Sequence, residues 1–356
     1  MKTVGRRTFI TAVGGAGAVA VLAAASGRGL RGSSPAARSR SLTTLPKAKR
    51  TIVVPATQPF TVEGQTPYVT PNADFYLIDT ALVVPQLEAA TWSMSVKGMV
   101  DNPFKITYAE LLDMDMVEEP VTISCVSNEV GGDLIGTAMW LGVPLKTLLD
   151  RAKVKKGATQ IVGRSVDDFT AGFPTEKALD GRTALVAVGM NGEPLPVKHG
   201  FPARLVVPGL YGYVSATKWL HAVTLTTLEE TTPFWVQRGW TADGRIEAAS
   251  RIDVPRDGVR VPGGRVAVGG RAWHQHTGVG SVEVKVDDGA WNEATLAEPI
   301  STDTWRLWSW TWDATPGPHT LTVRMHDTNG TPQSSDEHPV YPGASSGLHT
   351  IAIDVS

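Results

Sequence analysis

The chain changes its pattern near Asp253. From there to Ser356 it runs VRVPGGRVAVGGRAWH, GSVEVKVDDGAWNEATL, TWRLWSWTWDA, HTLTVRMHD and GLHTIAIDVS, short alternating stretches about ten to fifteen residues apart and separated by Gly, Asp and Pro turns. No helical period interrupts them. Alternation at period two puts one face of a strand in a core and the other in water, and a series of such runs closes as two sheets packed face to face. Residues 245–356 therefore predict an all-β immunoglobulin-like sandwich, without the cysteine pair of antibody domains. Trp308, Trp310 and Trp312 share one face of one strand, which suits the sandwich core or an interface.

With 356 residues and roughly 150 per domain, a second domain is expected upstream. Its signals are mixed. TYAELLDM opens with Thr107 and Glu110 at capping-box spacing, so a short helix follows. Pro144 begins the amphipathic PLKTLLDRAKV helix, and FPTEKALDG gives a short helix ended by Gly181. Strand patterns occupy Trp92–Val96, PVTISC, ATQIVGRSV and ARLVVPG, and Asn191-Gly192 marks a hairpin after TALVAVGM. Strands and short helices alternate without βαβ regularity, so residues 51–230 read as an α+β, mixed-sheet domain.

Residues 1–50 differ again. MKTVGRRTFITAVGGAGAVAVLAAASG has paired Arg6 and Arg7, then Phe9 and Ile10, then an apolar stretch from Ala12 to Ala25. This is the pattern of a twin-arginine export leader, and the stretch falls short of the roughly 20 apolar residues of a confident span. An uncleaved anchor is the alternative. Residues 27–50 scatter seven basic side chains, Arg40 among them, between Ser and Pro, and read as a flexible tether. The protein is expected outside the cytoplasm, in the periplasm where the cell has one. A net charge of −2 and the lack of a basic stripe after this segment argue against nucleic acid as a partner.

Cys125 is the single cysteine. Alone it cannot form an internal disulfide, so it is either a small buried hydrophobe or a ligand. In VTISCVSNEVGGD it stands at a strand end, on the face of Val121 and Ile123 and opposite Thr122 and Ser124. Residue type alone favours the filler.

Three segments alter that balance: TPNADFYLIDTALVVP (70–85), VTISCVSNEVGGD (121–133) and PLPVKHGFPARLVVPGLYGYVSATKWL (194–220). Together they resemble the molybdopterin-dependent sulfite oxidase family, over about residues 65–356. The resemblance implies a mixed α+β cofactor-binding core followed by an immunoglobulin-like domain often used for dimerisation, and hence a possible homodimer. It also implies a molybdenum-molybdopterin cofactor with Cys125 as metal ligand and catalytic centre, the pterin dithiolene supplying further sulfurs. A soft thiolate suits a redox metal. His199 and Arg204 match the pterin-contacting pair, Lys218 the later basic contact with Ser215 and Thr217 before it, and Asn72, Phe75 and Tyr76 the first pterin-facing loop. Ser165 aligns with a hydroxyl residue of related bacterial reductases. Glu129 and Asp79 flank the site as candidate proton acceptors or structural residues.

The departures concern substrate. Where animal and plant sulfite oxidases carry arginines, this chain has Ile78 and Val130, and Phe169 stands for their active-site tyrosine. A dianion beside the metal needs such cations. The expected function is two-electron oxo transfer on a small substrate other than sulfite, with sulfite oxidation as one alternative and a cofactor-free extracytoplasmic binding module as another. No haem, flavin or dinucleotide signature is present, so electrons would pass to or from a separate cytochrome or membrane redox protein.

Overall fold

A computed structural model of the chain describes residues 34–55, 60 and 62–356. The leader expected over the first residues lies outside the described residues. Among the described residues, no helix is long and apolar enough to cross a membrane.

Two sheets build the N-terminal part. The first runs β1 (Arg50–Thr51), β4 (Val117–Ser124), β5 (Ile135–Pro144), β8 (Leu185–Met190), β10 (Arg204–Val206), with β9 (Glu193–Pro194) added to β8. The second runs β3 (Phe104–Thr107), β2 (Ser93–Gly98), β11 (Leu220–Thr226), β6 (Gln160–Ser165), β7 (Thr170–Pro174). Each sheet is mixed, since β1 pairs β4 in parallel and β2 pairs β11 in parallel while their other ladders are antiparallel.

Helices contribute less than the α+β expectation supposed. Tyr108–Leu112, Leu145–Ala152 and Gly212–Ser215 are all short, so this part is strand-rich with helical punctuation. The local signals still act. Thr107 accepts from the Glu110 amide while the Glu110 carboxylate accepts from the Thr107 amide, a complete capping box. Asn191 and Gly192 both take positive φ in the β8–β9 hairpin, which a type I′ turn requires.

The C-terminal part is a two-sheet sandwich. One sheet is β12 (Ala249–Val254), β14 (Gly264–Trp273), β18 (Arg306–Ala314), β17 (Thr295–Leu296); the other is β13 (Arg260–Val261), β20 (His349–Val355), β19 (Gly317–Asp327), β15 (Val279–Val286), β16 (Trp291–Glu293). Trp308 is fully buried in its core and Trp310 and Trp312 pack against that core. Trp305 does otherwise. With Trp273, Ala297 and Leu307 it belongs to the large core of the N-terminal part, so hydrophobic packing is continuous across the boundary.

Residues 34–50 are not a loose tether. Pro35–Ser41 is a helix capped by the Ser34 hydroxyl, the Lys49 amide donates to the Met116 carbonyl, and Arg50 pairs with Glu119 at 2.6 Å as β1 lies beside β4. The polar composition that suggests a linker is matched by acceptors far away in sequence.

Candidate functional site

Cys125 follows the last residue of β4. Val121 and Ile123 pack with Phe75, Trp140 and Phe201 on one face of the sheet, as the alternation predicts. Thr122 and Ser124, on the other face, are buried as well, because the sandwich covers them. The Thr122 amide donates to the Asp303 carbonyl at 2.9 Å, and its hydroxyl accepts from the Trp305 amide at 2.9 Å. Beyond the strand the chain turns sharply. The Cys125 amide donates to Leu134 O at 2.9 Å, the Asn128 amide to Cys125 O at 3.0 Å, and the Asn128 carboxamide accepts from the Leu134 amide at 2.7 Å. Burial pushes the thiol pKa up, opposed by hydrogen bonds to the backbone and hydroxyl of Ser127 and by the Lys218 charge. A bound cation would convert it to thiolate, the form that ligates metals.

Facing this turn is a buried basic floor. Gly200, at φ +108°, lets two segments meet: a Cβ there would lie 3.1 Å from Lys218 Cα and 3.2 Å from Arg204 Cβ. The Trp219 indole donates to Val197 O at 2.9 Å, tying the Lys-Trp segment to the short turn that carries His199. Arg204 donates to His199 O at 3.2 Å and lies over the Trp140 ring. Lys218 donates to Asp79 Oδ2 at 3.1 Å and to Lys198 O at 3.1 Å.

His199, Arg204 and Lys218 are all buried and close enough to perturb one another. Burial, then the charges of Lys218 and Arg204, bring the His199 pKa down to about 3. Burial brings Arg204 to about 10 and Lys218 to about 8, with Asp79 partly restoring the latter. Positive charge gathered away from water with so little compensation favours an anionic occupant.

The aromatic loop completes this wall. Phe75 stacks on Tyr76 at 5.3 Å and sets its edge against Trp140 and His199 at 5.9 and 5.7 Å. Burial raises the Tyr76 pKa, the Cys125 thiol raises it further and Arg204 lowers it, which places Tyr76 among these groups.

The structure sorts the remaining expected residues. The Asn72 carboxamide donates to Glu193 Oε1 at 2.6 Å and accepts from Asn191 Nδ2 at 2.8 Å, so it fastens its loop to the β8–β9 turn. The Ser215 hydroxyl donates to Leu210 O and Tyr211 O at 3.2 and 3.0 Å, a backbone role. Ser165 and Thr217 are buried and their hydroxyls have no protein partner. Thr217 immediately precedes Lys218 and its hydroxyl faces β6, where a Cβ at Gly163 would meet Thr217 Oγ1 at 2.5 Å. Phe169 packs against Phe234 at 5.7 Å.

Unpartnered hydroxyls beside crowded cations fit a group rich in acceptor oxygens, such as a phosphorylated pterin. Asn72, Phe75 and His199 also line a cavity of about 490 Å³ whose other walls include Ala37, Arg40, Glu193 and Lys198. Sequence reasoning missed Arg40, Glu193 and Gln275. The Gln275 carboxamide accepts from the Gly209 amide and donates to Thr122 O, joining the cysteine strand to the basic segment from the other domain. No local pattern marks such a bridge.

Lys218 gives a test on protein without cofactor. Its pKa falls from 10.5 unfolded to about 8 folded, so between those values the unfolded chain binds more protons and stability rises with pH. Between pH 8 and 10, chemical denaturation is expected to show the stability of wild type rising relative to Lys218→Met by on the order of 1–3 kcal/mol. The comparison with Lys218→Met removes the opposing loss from Cys125 and the buried tyrosines, whose pKa values burial raises, and a difference that does not change over that range contradicts the assignment.

The family model described as oxidoreductase molybdopterin binding domain matches residues 81–235, and that described as bacterial Ig domain matches 250–323. Mitochondrial sulfite oxidase of Rattus norvegicus is 30% identical over 291 residues, covering 68% of this chain and 52% of the relative, and that of Homo sapiens is 31% identical with the same coverage. An NADPH nitrate reductase of Fusarium oxysporum is 34% identical over 156 residues, 38% of this chain and 17% of its own. The chain thus spans about half the length of the sulfite oxidases it matches. The crystal structure of the sulfane dehydrogenase SoxCD from Paracoccus pantotrophus has the same fold, with a TM-score of 0.69 at 24% identity over 80% of this chain and 81% of that one. A molybdopterin-binding region, a sandwich behind it and relatives of this kind make the chain a member of the sulfite oxidase family of molybdopterin-dependent oxidoreductases, whose cofactor is molybdenum-molybdopterin.

Proposed function

We propose that the protein catalyses two-electron oxo transfer on a small neutral substrate, an S-oxide or N-oxide, outside the cytoplasm after twin-arginine export, exchanging electrons with a separate redox protein. The carrying observation is a narrow cleft, about 20 Å³, along the turn that follows Cys125 and on the Ser124 face of β4. It lies between the domains and is lined by Ser124, Asn128, Glu129, Val130, Tyr211 and Glu247 among others, with no Lys or Arg among its described lining residues. The Glu129 and Glu247 carboxylates along it repel an approaching sulfite dianion, while the cations nearest Cys125, Arg204 and Lys218, are buried and assigned here to the pterin. A neutral oxide meets no such barrier.

When bound, the molybdenum centre supplies the two-electron redox chemistry. The chain's residues do the rest. Cys125 Sγ offers the protein's thiolate donor. Arg204 and Lys218 would hold the anionic and polar groups of the pterin, and His199, kept neutral by burial, would offer one ring N–H and one ring acceptor. Tyr211 lines the cleft, and burial raises the pKa of its phenol, so Oη keeps its proton at neutral pH and remains a hydrogen-bond donor on the cleft wall. Tyr211 Oη itself accepts from the Glu247 amide at 3.3 Å, which fixes its direction.

The test is steady-state turnover of molybdenum-loaded protein with an artificial electron carrier. Reduction of aryl or alkyl S-oxides is expected to exceed sulfite oxidation clearly in kcat/KM. Val130→Arg, which places a cation at an exposed position of the cleft, should lower the KM for sulfite by about tenfold, the effect of one charge-assisted contact worth roughly 1.5 kcal/mol. Robust sulfite turnover by the unaltered protein overturns the substrate assignment.

A further inference from the structure

Arg40 belongs to the segment whose composition suggested a tether, yet it lines the same cavity as His199, Asn72 and Phe75. Its guanidinium is held from three directions. Nε donates to Pro194 O and Leu195 O at 2.9 and 3.0 Å, and Nη2 meets Glu193 Oε2 at 2.9 Å. The other Glu193 oxygen accepts from Asn72 Nδ2 at 2.6 Å. An unbroken chain therefore runs from Arg40 through Glu193 to the loop that carries Phe75 and Tyr76.

The rest of the segment is anchored along its length. The Ser39 hydroxyl accepts from the Ala89 amide at 2.8 Å, the helix lies against the turn bearing His199, and Leu45 covers the backbone of Gly189 so closely that a Cβ there would sit 2.8 Å from its methyl group. Arg50 and Thr51 end it as strand β1, in register with Val117 and Glu118. The helix end near the cavity and the strand end near β4 are thus both fixed.

We propose that residues 34–51 form a strap that retains the cofactor, with Arg40 as the residue that locks it over the cavity. The occupant, a phosphorylated pterin, rests on the family reading above; the strap itself rests on the contacts just described. Lys198 adds positive charge to the cavity wall, the charge of Arg40 being balanced by Glu193, and Ala37 and Arg40 bring the helix along that wall beside the turn bearing His199. Retention by the strap is a positioning role: Arg40 slows escape without taking part in the redox step.

The experiment measures how fast purified holoprotein loses pterin. Samples are held in dilute buffer, desalted at intervals, and the retained pterin is read by its fluorescence after oxidation. Arg40→Ala is expected to start with pterin content close to that of the unaltered protein and to lose it about tenfold faster, the rate equivalent of roughly 1.4 kcal/mol at the escape barrier. Arg40→Lys, which keeps the charge but cannot reach both carbonyls and the carboxylate together, should fall between. Ser39→Ala loosens the same helix without altering a cavity-lining residue, and a smaller acceleration there supports the strap even if Arg40→Ala folds poorly. Loss rates within twofold of the unaltered protein in both Arg40→Ala and Ser39→Ala overturn the strap alone. Unaltered protein that carries no pterin after expression in a host that makes the cofactor overturns the family reading and the strap together.

Discussion

Cys125→Ser lowers turnover about a thousandfold or more, a loss of about 4 kcal/mol of transition-state stabilisation, while pterin content stays within twofold of the unaltered protein. The expectation follows from the separation of roles in the site. Arg204, Lys218 and His199 form the buried basic floor, reached through the segments at 199–204 and 217–219, and Cys125 stands apart on the turn after β4. Serine is nearly isosteric, so the turn held by Leu134 and Asn128 survives. The hydroxyl remains protonated where a thiol beside a cation ionises, so the metal would lose its protein donor and the cysteine's part of the sulfur-to-metal absorption with it. Metal analysis, pterin fluorescence and the visible spectrum separate these effects. Molybdenum near one per chain in the unaltered protein excludes the cofactor-free module, and a serine variant with near-normal turnover removes Cys125 from the metal.

What the sequence makes legible here is what depends on near neighbours. The capping box at Thr107 and Glu110 and the Asn191-Gly192 hairpin follow from residues within a few positions of one another. The sandwich follows from strand alternation alone, and the family motifs draw attention to Cys125, His199, Arg204 and Lys218. Chemical type, however, does not say where a polar group points. Asn72 and Ser215 have the right groups for a cofactor, yet their hydrogen bonds go to Glu193 and Asn191 and to the backbone of the short helix. Ser165 and Thr217, less distinctive as residues, keep unpartnered hydroxyls. The segment 34–50 shows the same limit. Its arginines and serines resemble a linker until Glu193, Ala89, Met116 and Glu119 arrive from elsewhere in the chain. Thr122 and Ser124 look solvent-facing by alternation, and only a second domain laid over them makes them core.

That second domain packs onto the first around a large buried side chain, and Trp305→Ala is expected to cost about 3–5 kcal/mol, the range for emptying a large aromatic core position. Trp305 is 1% exposed. Its indole donates to Tyr68 O at 3.0 Å, its amide to the Thr122 hydroxyl at 2.9 Å, and the Arg271 guanidinium lies 4.3 Å over its ring. Removing the ring leaves a void in the core shared by both parts and exposes Arg271, whose pKa burial holds down to about 10, to a changed environment. The packing lost is also what presses the sandwich onto Thr122, three residues before Cys125. Urea unfolding should therefore show an earlier midpoint and a split into two transitions, as the sandwich keeps its own core around Trp308 while the N-terminal part unfolds first. Molybdenum retention should fall with the first transition. A single transition within about 1 kcal/mol of the unaltered protein would show that the Trp305 ring does not couple the two parts, and that Thr122 and Cys125 hold their places without it.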